Sequence, residues 1–194
     1  MRVISGSARG RKLKAPPGLS TRPMADKIRE AAFSMLASLG VTPERVLDLY
    51  AGSGSVGIEA LSRGATSVDF VEQNRVACDV IRDNLRHIGF ETQARVNQTS
   101  VGMFLARVHQ PYDFVIMDPP YADPDIVATM STLGSSAAVE DGTILLIGHS
   151  PRVELPETAG ALHCLRRRCH GDSCFSIYEA LIEHEVESDE ETET

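Results

Sequence analysis

No stretch of 18 residues in this 194-residue chain is free of charge, so no segment reads as a membrane span. Residues Met1 to Lys14 are basic and lack the apolar core of a signal peptide, so export is not expected and the location reads as cytoplasmic. No Cys-x-x-Cys pair occurs among Cys78, Cys164, Cys169 and Cys174. The Cys169/Cys174 spacing, with His170 between, is a poor zinc pattern; no metal is expected and the cysteines read as free thiols. His149 and His170 have no second ligand at useful spacing and read as surface or turn residues. Basic residues are missing from one end: residues 183–194 carry seven Asp/Glu and no Lys/Arg, and such a tail is expected to stay outside the fold.

What is present is divided just as unevenly. The net charge is -8, yet residues 1–30 hold eight Lys/Arg against two Asp/Glu. Basic charge gathered at one end is the footprint of a polyanion partner, although a solvated strand pair would look the same. The organisation expected is a basic β extension over residues 1–24, an α/β domain over 25–182 and an acidic tail over 183–194. A 42% hydrophobic composition is enough to build that domain's core.

Periodicity orders the rest. Arg2–Gly6 and Arg9–Leu13 read as short strands broken by glycine, and Pro16, Pro17 and Gly18 interrupt them. Ile28, Ala31, Ala32, Met35, Leu36 and Leu39 recur at helical spacing, which predicts a helix over 25–39. From Arg45 the chain alternates. Strands are expected at 46–50, 67–72, 91–97, 113–118 and 143–147, with helices at 57–63, 76–88, 101–108 and 125–138. A closing hairpin runs through 163–170 and 174–183 about a Gly171-Asp172 turn. Alternation of this kind implies a doubly wound, mainly parallel sheet, here of seven strands.

Two motifs carry chemistry. In Asp48-Leu49-Tyr50-Ala51-Gly52-Ser53-Gly54-Ser55-Val56-Gly57 a buried strand enters a glycine turn and then a helix. Glycines admit a ligand close to the backbone, and a helix start offers unpaired amides. Glu72 closes the next strand, 20 positions after Gly52, where a carboxylate can accept the hydroxyls of a ribose. These features suit NAD as well as S-adenosylmethionine. The second motif, Asp118-Pro119-Pro120-Tyr121, separates them. Two prolines after a buried strand fix the backbone and leave carbonyls as acceptors, Asp118 adds a carboxylate, and Tyr121 offers a stacking face. An exocyclic amine needs such acceptors, because its lone pair is delocalised into the ring. Hydride transfer does not.

The sequence resembles a known family at these motifs and beyond them. Arg2–Gly6, Arg9–Leu13, Thr21-Arg22-Pro23, Asp26–Glu30 and Phe33, with Leu47–Gly54, Glu59–Ala65 and Gly171–Tyr178, resemble the RsmD family. Its members are bacterial small-subunit (16S) ribosomal RNA guanine-N2 methyltransferases. The resemblance implies a Rossmann-like class I fold with S-adenosylmethionine bound by Asp48, Tyr50, Gly52, Ser53, Gly54, Glu72, Ser100 and Asp118. It implies catalysis by Asp118, Pro119 and Tyr121, with Arg9, Arg11, Lys12, Arg22 and Arg29 contacting RNA. The partner implied is 16S ribosomal RNA or a small-subunit assembly particle, and the protein is expected to be a monomer. Ser100 stands where relatives place Asp or Asn, and Gly148 where a carboxylate is expected. Arg166-Arg167-Arg168 reads as a solvated strand, since alternate residues face opposite sides. DNA adenine and protein glutamine remain as other amine substrates, and a non-catalytic RNA-binding assembly factor remains as another role.

Overall fold

Apolar runs bounded by turn residues become strands. β1 (Arg45–Leu49), β2 (Ser67–Glu72), β3 (Ala94–Gln98), β4 (Phe114–Met117) and β5 (Ile144–His149) pair in parallel. Between them lie α2 (Ser55–Ser62), α3 (Arg75–Ile88), α4 (Val101–Leu105) and α5 (Ile126–Gly134), and α1 (Asp26–Ser38) precedes β1. β6 (Thr158–Ala159), β7 (Leu162–His170) and β8 (Ser173–Ala180) complete the sheet in antiparallel fashion. The structure, a computed structural model, describes residues 1–17, 26–120 and 123–182; Arg22, Tyr121 and the acidic tail lie outside the described residues.

The strand order is β3-β2-β1-β4-β5-β8-β7-β6. The chain moves outward from β1 to β3 and then crosses back to β4 on the other side of β1. That reversal opens a crevice at the carboxyl ends of β1 and β4, where doubly wound sheets bind ligands. Strand residues alternate between two cores. Val46, Phe114 and Ile116 pack beneath α1, α2 and α3, whereas Leu47, Leu49, Val115 and Met117 pack against α4 and α5. Parallel strands covered on both faces read as continuous apolar runs, as Phe114–Met117 does.

Several expectations need correction. The sheet has eight strands, because Thr158–Ala159 folds back about Gly160 to pair with Leu162 and His163. Two residues are too few to leave a periodic signal. The third strand begins at Ala94, since Glu91–Gln93 form a 3-10 turn, and α5 ends at Gly134. The first thirteen residues form turns and a single bridge, Arg2 to Lys12, in place of two strands. Cys169 and Cys174 are joined by a disulfide, because they are cross-strand neighbours with Cα atoms 4.0 Å apart; Cys78 and Cys164 are the free thiols. His149 is buried: it ends β5 beneath β8 and its Nε2 lies 2.9 Å from Ser176 Oγ. Among the described residues no helix is long and apolar enough to cross a membrane.

Candidate active site

The turn after β1 is shaped by backbone that few residues tolerate. Tyr50 adopts φ 58°, a left-handed conformation that costs a non-glycine residue about 1–3 kcal/mol and gathers at functional sites. Gly54 caps α2 at φ 75°. Gly57 serves closeness instead, since a Cβ there would stand 2.5 Å from Phe70 Cε1 and 2.8 Å from Asp48 Oδ2. That closeness lets Asp48 Oδ2 accept the Gly57 amide at 3.0 Å, which fixes the first turn of α2 against β1. Glu72 joins two turns: Oε2 accepts from the Gly52 amide at 2.9 Å and Oε1 from the Asn74 amide at 2.8 Å.

These groups open on one cavity of about 480 Å³. Its walls bring together Asp48, Tyr50, Gly52, Ser53, Glu72, Ser100, Asp118 and Pro119, all expected at the site. Gly54 stands behind this wall as the cap of α2. Ser100 also caps α4, its Oγ accepting the Met103 amide at 3.3 Å, so its hydroxyl proton remains to be donated. Asp118 follows β4 directly and its amide donates to the Leu49 carbonyl at 3.4 Å, which ties the proline turn to β1. Pro119 is buried and Pro120 exposed. Gly148 is buried within β5, paired with Phe175.

Among the described residues the lining of the cavity is acidic. Asp48, Glu72 and Asp118 line it, and among the described residues no Lys, Arg or His does. Burial pushes the Asp48 carboxyl well above its usual range; the Gly57 amide opposes this, and the charges of Asp118 and Glu72 add to it. Such a field favours a cationic ligand and repels a pyrophosphate. S-adenosylmethionine carries its reactive methyl on a sulfonium cation, so these residues fit it better than they fit a dinucleotide. Glu72 and Ser100 both line this cavity.

The N-terminal arm forms part of the same structure, and sequence reasoning missed how. Asn84, 1% exposed on α3, accepts the Lys14 amide at 2.8 Å and donates to the carbonyls of Lys14 and Ser53, each at 3.0 Å. Ala15 and Pro16, next in the chain, form a wall of the cavity. Glu59 on α2, fully buried, accepts the amides of Ile4 at 2.8 Å and Ser5 at 3.0 Å. It also pairs with Arg63 at 2.7 Å and with Arg29 at 3.8 Å. Arg29 is therefore a structural cation and not an exposed RNA contact: it is 1% exposed and donates to the Arg2 carbonyl at 2.6 Å and to Asp26 at 3.0 Å. Arg9 and Lys12 are exposed, and Arg11 is exposed with its guanidinium on the His87 carbonyl.

YlbH of Bacillus subtilis, provisionally named an rRNA methyltransferase, is 36% identical over 92% of this chain and 98% of its own. Ribosomal RNA small subunit methyltransferase D of Escherichia coli is 29% identical over 97% of this chain and 94% of its own. The solved structure of yhhF from Escherichia coli, provisionally described as a methyltransferase, superposes with a TM-score of 0.83 at 30% identity, covering 94% of this chain and 99% of that one. The fold is the Rossmann-like methyltransferase fold, and S-adenosylmethionine is the cofactor that family and fold imply. The family model described as "Conserved hypothetical protein 95" matches residues 1–179, and the chain belongs to that family, the RsmD family of methyltransferases.

Proposed function

We propose that this protein, acting as a monomer, methylates the exocyclic N2 of a guanosine in small-subunit ribosomal RNA. One observation carries the reading: the Asp118-Pro119-Pro120 turn and the glycine turn of β1 wall the same anionic cavity. An acceptor set for an amine thus stands beside a pocket for a methyl donor. S-adenosylmethionine, when bound, supplies an electrophilic methyl group. Asp118 and the Pro119 carbonyl accept the two N–H groups of the amine and turn its lone pair toward that methyl. In this reading Asp118 also accepts the proton that the methylated amine sheds. Tyr121, next in the chain, stacks on the base once it leaves its RNA stack. Most of the rate gain is then alignment of two reactants.

Ribosomal RNA as the substrate class draws on the names of the relatives, and guanine N2 on the family resemblance. The basic arm supports a polyanion over a protein substrate. The test is transfer of tritiated methyl from S-adenosylmethionine to naked 16S RNA, assembled small subunits and duplex DNA, with nucleoside analysis of the product. Label in N2-methylguanosine from RNA or subunits is the expected result. Label in methyladenosine, or in DNA alone, would overturn the assignment.

A further inference from the structure

β7 outruns its outer neighbour. β6 pairs only with Leu162 and His163, and the Cys164 amide donates to the Glu157 carbonyl at 2.8 Å; beyond it, among the described residues, no main-chain hydrogen bond covers the outer edge of β7. Every residue from Arg166 to His170 is exposed. Arg166 pairs with Ile177 and Arg168 with Phe175, and paired residues share a face of the sheet. Ile177 and Phe175 belong to the core beneath α1, so Arg166 and Arg168 stand on the face that carries α1 and the N-terminal arm.

The three arginines are not equivalent. Arg167 is committed to the fold: it donates to the carbonyls of Leu155 at 2.6 Å and Pro156 at 3.1 Å, and pairs with Glu157 at 3.1 Å. Among the described residues Arg166 donates to the carbonyl of its neighbour Leu165 alone. Among the described residues no carboxylate forms an ion pair with Arg166 or Arg168. Two unneutralised guanidiniums two residues apart are an anion-binding pair, suited to bidentate contact with phosphate.

Their position gives the pair a use. His149, at the end of β5, pairs with Cys174, so the hairpin tip stands at the carboxyl edge of the sheet, where β4 leads into Asp118. β7 is the third strand from β4 in the order β4-β5-β8-β7, roughly 14 Å away at the usual strand spacing. The Cys169–Cys174 disulfide holds the two strands together beside the tip. Along the strand order the end of the arm lies on the other side of β4 from β7, where Ala15 and Pro16 wall the cavity together with Glu72 of β2.

We propose that Arg166 and Arg168 form a second RNA-phosphate contact, across Asp118 from the basic arm, so that the strand carrying the target base is held on both sides of it. This rests on the RNA reading above. Arginines on an open strand edge also discourage edge-to-edge pairing between copies. That role alone predicts self-association on their removal, with RNA binding unchanged.

RNA affinity measured against salt separates the two. Arg166→Ala with Arg168→Ala should lower the slope of log affinity against log salt by about 1.4 to 1.8, at 0.7 to 0.9 for each phosphate no longer neutralised. Binding of S-adenosylhomocysteine by calorimetry should not change. Arg167→Ala should leave the slope intact while lowering the melting temperature. Replacing Arg9 and Lys12 should lower the slope separately and additively. An unchanged slope in the Arg166/Arg168 variant, with the arm variant still flattened, would overturn this proposal and leave the RNA reading standing. A wild-type protein that binds no RNA at all would overturn both.

Discussion

Glu59 is the carboxylate on which the N-terminal arm rests, and replacing it by alanine tests the anchoring described above. The side chain is fully buried and takes four partners: the Ile4 and Ser5 amides, Arg63 and Arg29. Removing one member of a buried ion pair costs about 3–5 kcal/mol, because the partner's charge stays buried and uncompensated. Here the partner is Arg29, whose Nε already lacks a hydrogen bond and whose pKa burial lowers, with Glu59 the first of the charges opposing that shift. Arg29 keeps Asp26 and the Arg2 carbonyl, so the lower end, about 3 kcal/mol, is expected. At ~2–4 °C per kcal/mol for a domain of this size, the melting temperature should fall by roughly 6–12 °C. Differential scanning calorimetry reads this directly. Arg29→Met combined with Glu59→Leu removes both buried charges and should recover only the part of the loss due to Arg29, since the Ile4 and Ser5 amides still lack their acceptor. A Glu59→Ala shift under about 2 °C would mean less than ~1 kcal/mol and would refute the claim that this carboxylate holds the arm.

Further outcomes concern the site. With S-adenosylmethionine saturating, Asp118→Ala should lower the single-turnover methylation rate by about 10²–10³, with Asp118→Asn retaining more; a wild-type rate in the alanine variant would end the proposed amine mechanism. Asn84→Ala should weaken S-adenosylhomocysteine about tenfold, ~1.4 kcal/mol, because Lys14 and Ser53 lose the group that joins them. Asn84→Asp should recover little, since a carboxylate cannot donate to those carbonyls; equal affinity in all three proteins would detach Asn84 from the cavity. His149 gives a pH dependence. Burial lowers its pKa below 6.5, the Ser150 carbonyl opposing. As pH falls through about 6.5 the unfolded chain binds a proton that folded His149 refuses, so stability falls until the folded pKa is also passed. Urea midpoints at two pH values should therefore differ less for His149→Gln than for wild type; an equal difference would show that other groups carry the dependence.

The alternation of β1 to β5 with α2 to α5 was legible because buried parallel strands are short apolar runs and the helices between them keep one apolar stripe. Much of the cavity was legible because two contiguous motifs supply many of its residues and Glu72 stands at a strand end, whereas the wall made by Ala15 and Pro16 was not. What escaped depended on pairing at long range. Arg29 reads as an outward-facing cation on an amphipathic helix, and its burial depends on distant partners, Glu59 on another helix and the Arg2 carbonyl of the arm. Cys169 and Cys174 meet through hairpin register, which spacing alone does not determine. Asn84 did leave a signal: it shares the buried face of α3 with Ala77, Ile81 and Leu85 at helical spacing. A polar residue on such a stripe needs partners, and here they come from the arm and the glycine turn.

The anchors of the arm share one property. Glu59 holds the amides of Ile4 and Ser5, Ser62 the amides of Ser7 and Ala8, and Asn84 the amide and carbonyl of Lys14. They grip main-chain groups, which every non-proline residue presents alike, so the arm's path is insulated from the identity of its outward side chains. Exchanging Arg9, Arg11 and Lys12 can therefore change the arm's outward charge while its main-chain anchors stay as they are. On the RNA reading proposed above, such an arm would be an interchangeable reading head, and chimaeras grafting a relative's residues 7–13 between fixed anchors would test whether substrate choice follows.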